Sequence, residues 1–585
     1  MRFGKQIHLE KLLQFSDVFS EQPKTLAHYL QNIPKSVLLK AASHFLGYFN
    51  RQSKYIDNYM DFLLMYFQKD NLEIFQVVVS AIKKMESQFP EWNVRIINHQ
   101  TSLILFEYAF QHGLEIEDQA DFDTKLFEIN LLKAYLLINE DLDRIQTAEI
   151  KKLEGFPLHD KIRKILLILS LPDIDLINHN ETDVFVCQLL KANWLFSFLK
   201  IVPQCQPILS ALFQHYEVDK QEDIFKHLIQ LAILCMERRE GRFGFSVTQD
   251  EFFKVNSTFL DSLAVDTTEN QEDFKNLRAT PIYKEKEGTY CIICTLFVLE
   301  KLYKSWYFKL NQINNQLPKH QKIKEFRSFY GQNFTENYLI EKVLYGIFNP
   351  KSIQLSGNKI RKEYSTVTGE PDYYVRDWNR VYIFETKDTF LRAENKISYS
   401  FEAIESDLKE KLYFKTDDKG KITLKAVKQI TENIKKSLQN KQLFDSLSKP
   451  NKVEFYPILL LHDESFNAAG LNSLVNEWFQ KELEELKNQG FNIKKVNPLI
   501  IITIDALILL QELMRQKKII LHELLEKYSK LHLSAPKENT NHIKQEDYLP
   551  FSTFALDYAR RQDLTPMPNI SFIHSATKSL VFPKS

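Results

Sequence analysis

Two carboxylates and an amine, Asp372, Glu385 and Lys387, have the types and spacing for metal-assisted chemistry. They lie in the stretch Gly369 to Asp388, which reads as two short strands joined by a turn. Pro371 to Arg376 and Val381 to Lys387 are rich in aromatic and β-branched residues, and Asp377-Trp378-Asn379-Arg380 between them has turn composition. Centring the hairpin on Trp378-Asn379 sets Asp377 opposite Arg380, Tyr374 opposite Ile383 and Asp372 opposite Glu385. Facing carboxylates repel, so a sheet built for stability alone avoids them. A divalent cation between them reverses the sign. Lys387, two residues beyond Glu385, shares its face of the strand. Trp-Asn is not a favoured two-residue turn pair. A four-residue loop about the same centre keeps the register, whereas a three-residue loop shifts it by one.

Pro371-Asp372 followed by Glu385-Thr386-Lys387 resembles the active-site signature of the PD-(D/E)XK nuclease superfamily, and the apolar Val381-Tyr382-Ile383-Phe384 leads into the acid as that signature expects. The resemblance implies metal-dependent hydrolysis of phosphodiester bonds on a small mixed sheet flanked by helices. By the same resemblance Asp372, Glu385 and the Thr386 carbonyl hold one or two Mg²⁺ or Mn²⁺ ions, and Lys387 orients the attacking water. Oxygen ligands of this kind favour those metals over zinc. Relatives often place a glutamate from the first core helix near the metal. Glu336, in Phe334-Thr-Glu-Asn-Tyr-Leu339, fits that place better than Glu341. Gln429 stands where relatives carry a helical glutamine or lysine that touches the site. The implied substrate is nucleic acid, DNA ahead of RNA, cut by the effector of a multi-part system such as anti-phage defence. An RNA-cleaving relative, or a helical binding scaffold with a non-catalytic core, is the alternative. At the level of the hairpin the alternative is a surface element with a solvated Glu/Lys pair.

The elements that must position these residues are spread over 585 residues, enough for two or three domains. Residues 1–265 read as an all-α domain, with Val37, Ala41, Phe45 and Phe49 at helical spacing and similar patterns at 72–85, 126–137, 183–199 and 224–236. His159, His179 and His215 are scattered in it without metal-ligand spacing. This domain is a scaffold, a sensor or a surface for a protein partner. An acidic, polar connection covers 261–276. The nuclease domain spans 266–545, with its α/β core at about 315–515, and 546–585 is a docked or partly ordered tail. The expected core runs through a helix at 334–348, a strand at 359–364 carrying Glu363, the hairpin, helices at 400–414 and 424–438, and strands at 453–461 and 498–504. Asp505 stands ready as the N-cap of the helix that follows, and helices at 473–487 and 506–516 cover the faces. Strands separated by helices make an α/β sandwich.

Cys291 and Cys294 have the gap of a metal pair, but no second pair follows and strand character turns neighbours to opposite faces, so both read as packing residues. The consecutive His462, Asp463 and Glu464 likewise read as a polar strand end. Five cysteines without a disulfide framework suit a reducing cytoplasm. Neither an N-terminal signal nor a membrane-length apolar run is evident, since Leu499 to Leu510 is broken by Asp505. Net charge is zero overall, yet residues 318–452 hold 26 Lys+Arg against 18 Asp+Glu, a local excess of 26 − 18 = +8 that suits a polyanion.

Overall fold

A computed structural model describes residues 10–47, 59–67, 71–88, 93–114, 123–177, 179–237, 244–265, 272–364, 369–417, 419–445, 452–533 and 545–581. The chain forms two compact units whose boundary is not at 265. One comprises Met1–Lys152, Leu176–Thr182 and Lys226–Lys301; the other comprises Leu153–Asp175, Asp183–Phe225 and Leu302–Ser585. The expectation of a helical domain over 1–265 is corrected accordingly. The reason is visible in α1, Glu181–Ile201, most of which falls in the second unit. Leu189, Ala192, Leu195 and Phe196 are fully buried there, as in a helix that is apolar all round and belongs inside a core. By length and composition α1 is also the one described helix able to cross a membrane, but most of its apolar window is buried in the protein.

The first unit is helical with small sheets rather than wholly helical. Glu10–Leu12 pairs in parallel with Asn93–Arg95. Asn139, on the helix Thr124–Lys151, donates to the carbonyls of Leu13 at 2.9 Å and Ile96 at 2.8 Å, satisfying buried backbone beside that pair. Gly244–Ser246, Thr289–Ile292 and Ile282–Lys286 form an antiparallel sheet with the second of these at its centre. Cys291 and Cys294 are buried and free, and burial pushes the Cys294 thiol up to about 11. Part of the acidic stretch 261–276 lies outside the described residues.

The second unit is organised by a mixed five-stranded sheet. Among the described residues the strands of this unit in chain order are β1 (Ile353–Ser356), β2 (Tyr373–Asp377), β3 (Arg380–Lys387), β4 (Phe414–Thr416), β5 (Ile422–Leu424), β6 (Glu454–Leu461) and β7 (Ile500–Thr503). The large sheet has the order β7-β6-β3-β2-β1, and β4 and β5 stand apart as a hairpin. β7, β6 and β3 run parallel, and β2 and β1 add antiparallel. The parallel strands read as continuous apolar runs because both faces are covered: Ile383, Phe384, Ile458, Leu459, Leu460 and Ile502 are all fully buried. The helices include α2 (Phe401–Leu412), α3 (Ala426–Leu438), α4 (Leu471–Asn488) and α5 (Ile504–Arg515). Edge strand β7 has its outer amides satisfied by side chains. Asn472 and Asn476, one turn apart on α4, accept from Ile501 N at 2.7 Å and Leu499 N at 3.1 Å, and Ser552 accepts from Thr503 N at 2.9 Å. Ser552 lies on the helix Phe551–Arg560, so that part of the expected tail is docked.

Two expectations fail here. Residues 359–364 are not a strand: the strand is β1, and Gly357–Glu363 is a helix. Gly357 permits the switch, since a Cβ there would meet the Pro371 carbonyl at 3.1 Å. Asp505 is not an N-cap. Thr503 holds that position, and Asp505 sits in the first turn, where its Oδ1 accepts from Lys191 Nζ of α1 at 2.6 Å.

Candidate active site

The hairpin that carries the acids has the expected register. Tyr373 pairs with Phe384, Tyr374 with Ile383, and Asp377 with Arg380. The loop is two residues long, and Trp378 takes φ 57, a left-handed conformation that costs a bulky side chain. One step beyond the ladder, Asp372 stands at the β3 residues Glu385 and Thr386. Its Oδ2 accepts from Thr386 N at 2.7 Å. On the opposite side of the chain the Asp372 carbonyl accepts from Gly357 N at 2.8 Å. The close approach of Gly357 and the bond to Thr386 therefore fix the aspartate from two directions.

Glu385 is 2% exposed at the carboxyl end of β3. Its Oε1 accepts from Lys387 Nζ at 2.7 Å, which puts the two on one face as strand alternation requires. Glu336 joins them from a helical stretch in which Gly331–Leu339 is a π-helix between Phe326–Tyr330 and Ile340–Leu344. Such widened turns recur at functional sites. Phe198 of α1 supports this stretch, its ring centroid 5.4 Å from that of Phe334 and 5.6 Å from that of Tyr338. Asn337 Oδ1 accepts from Asn358 N at 3.1 Å, tying the π-helix to the segment that holds Asp372.

The three acids share one electrostatic environment. Burial first, and then the Asp372 charge, hold the Glu385 carboxyl well above the ordinary range; the Lys387 ammonium opposes this and does not prevail. Glu336 is raised by burial and by Asp372, and Asp372 by burial. Burial alone would lower the Lys387 ammonium, but Glu385, Asp372 and Glu336 outweigh it and hold its pKa up. Gln429 lies on the first turns of α3, which packs against β3, and its Oε1 is buried without a hydrogen-bond partner. The structure thus brings Asp372, Glu385, Lys387 and Glu336 together and leaves Gln429 with unused hydrogen-bonding capacity on the neighbouring helix.

Among the described residues no group of three or more His, Cys, Asp or Glu side chains is placed to hold a metal ion. The smaller set, Asp372, Glu385 and the Thr386 backbone, consists of oxygen donors of the kind that a hard divalent cation takes. A buried carboxyl held up by burial and by a neighbouring carboxylate is the arrangement that a cation relieves. Among the described residues no donor is recorded on Asp372 Oδ1 or Glu385 Oε2.

Sequence reasoning gave Arg327 and Lys425 no place in the site and read His462 only as part of a polar strand end. Arg327 donates to the Asp388 carbonyl and lies 3.5 Å from its carboxylate. His462 follows Leu461, the β6 partner of Lys387, and burial pushes its imidazole down to about 4. Only the sheet topology brings these residues near the hairpin, so no spacing in the sequence marks them. Comparison with protein-family models, with curated proteins and with solved structures finds no match.

Proposed function

We propose that the second unit is a metal-dependent nuclease with a restriction-endonuclease-like core of the PD-(D/E)XK type, acting on DNA. The observation that carries this reading is the convergence of a buried Glu385, a half-buried Asp372 and one amine at the end of β3. Asp372, Glu385 and the Thr386 carbonyl would hold Mg²⁺ or Mn²⁺. A cation there supplies Lewis-acid polarisation of the scissile phosphate and a water of lowered pKa. Lys387, kept protonated by its acidic neighbours, orients the nucleophile and stabilises the negative charge that develops on the phosphate. Glu336 sets the charge around the acids, and Gln429 offers a free acceptor to a water or a substrate hydroxyl. The first unit serves as a scaffold or a surface for a protein partner, with an anti-phage effector as the functional setting. Five free cysteines favour a reducing, cytoplasmic location.

The test is cleavage of plasmid, single-stranded DNA and RNA in Mn²⁺. Lys387→Ala should lower the rate about 100-fold or more, and Lys387→Arg should not rescue it, since a planar fork does not replace a compact ammonium. Undiminished cleavage by Lys387→Ala would refute the assignment and favour a helical scaffold with a structural core.

A further inference from the structure

A small hairpin adjoins this site without a core of its own. β4 and β5 pair antiparallel, Phe414 with Leu424 and Thr416 with Ile422. Five of their six residues are exposed, including Ile422 at 57% and Leu424 at 42%. A lone two-stranded hairpin is marginal in water, so burial does not explain this one. Its turn is instead locked by Asp417, whose Oδ1 accepts from Lys419 N at 3.0 Å and Lys421 N at 2.9 Å. Its base is closed by Lys425 N donating to the Tyr413 carbonyl at 3.1 Å. Asp417 is exposed and its Oδ1 is taken up by these amides, and among the described residues the ammonium groups of Lys419, Lys421 and Lys425 form no ion pair. Lys415 does have one, in Glu410 at 2.7 Å.

Lys425 links the hairpin to the site. It is the half-buried N-cap of α3, the helix packed on β3, and its side chain makes no capping bond. Burial, then the charges of Lys387 and Lys415, lower its pKa. A half-buried cation among cations is unfavourable until an anion arrives.

We propose that β4, β5 and Lys425 form an arm that enters the major groove of duplex DNA, with Lys419 and Lys421 on backbone phosphates and Lys425 on a phosphate beside the scissile one. The arm's dimensions select the substrate. Three residues per strand at about 3.4 Å each reach about 10 Å, comparable to the depth of a groove that admits a two-stranded ribbon. The major groove of A-form RNA is too narrow for side chains to read. The exposed Ile422, next to the turn, suits contact with a thymine methyl group. The identity of the reaction rests on the nuclease reading; the binding does not.

Full-length Lys387→Ala protein, which prevents turnover, is titrated against fluorescent duplexes of DNA and of RNA between about 50 and 200 mM salt. The same protein carrying Lys419→Gln and Lys421→Gln is compared with it. Each lost contact flattens the slope of log K against log salt by about 0.9, so two flatten it by about 1.8, or about 60-fold in affinity at 0.1 M relative to 1 M. Lys425→Gln in the otherwise unchanged protein should raise KM for duplex DNA about tenfold while the Mn²⁺-induced melting shift persists, which a structural role would not produce. Unchanged slope and affinity would overturn the arm, as would RNA duplexes bound with equal affinity or no DNA binding by the parent. If the Lys387 form and all others cleave nothing, yet the double variant loses DNA binding, the nuclease reading falls and the arm stands.

Discussion

Replacing Asp372 with Asn separates a metal site from a structural hairpin. Asn keeps an oxygen to accept the Thr386 amide and removes one of two facing charges. The size of the effect follows from Glu385, whose carboxyl is raised from 4.5 to about 8, first by burial and second by Asp372. Relieving about one unit of that rise by removing the Asp372 charge would be worth about 1.4 kcal/mol. Carboxyls raised on folding stabilise the protein below their ordinary range, and the benefit is lost as pH climbs through the raised values. The gain from Asp372→Asn therefore appears near pH 8 and vanishes near pH 4. In EDTA at pH 8 the variant should melt about 2–4 °C above the parent, at roughly 2 °C per kcal/mol. With Mn²⁺ at a hundred times its dissociation constant, the parent should gain about 2.7 kcal/mol and the variant almost nothing. Melting curves of both proteins at the two pH values, with EDTA and with Mn²⁺, make the measurement. A variant that melts well below the parent in EDTA, with neither responding to metal, would refute the reasoning.

Glu336→Gln removes a charge that raises Glu385, so the acidic limb of the cleavage pH profile should move to lower pH; an unmoved limb means Glu336 does not act on the site. Gly357→Ala forces its new Cβ to within 3.1 Å of the Pro371 carbonyl. It should cost about 1–3 kcal/mol in urea unfolding and reduce cleavage about tenfold through displaced Asp372, and full activity would show the contact to be soft. Lys191→Ala leaves Asp505 buried and unpaired, a loss of about 3–5 kcal/mol that adding Asp505→Asn should largely reverse. A single-variant loss below about 1 kcal/mol would show that water reaches the pair.

What the sequence disclosed follows the range of the interactions involved. The hairpin register was legible because Asp377 and Arg380 flank a turn centred on Trp378-Asn379, and the two-residue loop found keeps that centre where a three-residue loop would have shifted it. β6 and β7 were legible as unbroken apolar runs. The helix at Gly357–Glu363 was hidden because Lys-Ile-Arg-Lys-Glu has no apolar periodicity, and its place is set by the contact of Gly357 with Pro371. The interleaving of the two units was hidden for a related reason. Lys191 reads as a surface residue until Asp505 is brought to it from 314 positions away. Nothing local distinguishes Lys425 from the other lysines of 424–438, and the packing of α3 on β3 alone sets it apart.

The distance between Lys191 and Asp505 also bears on how the chain is made. At synthesis rates of about 5–20 residues per second, α1 leaves the ribosome roughly 15–60 s before its partner in α5 exists. During that interval a helix that is apolar on all sides, with a lysine destined for burial, has no sheet to cover. Newly made chains should therefore engage holdase chaperones through residues 181–201, and a fragment beginning at residue 266 should lack the helix that closes its core.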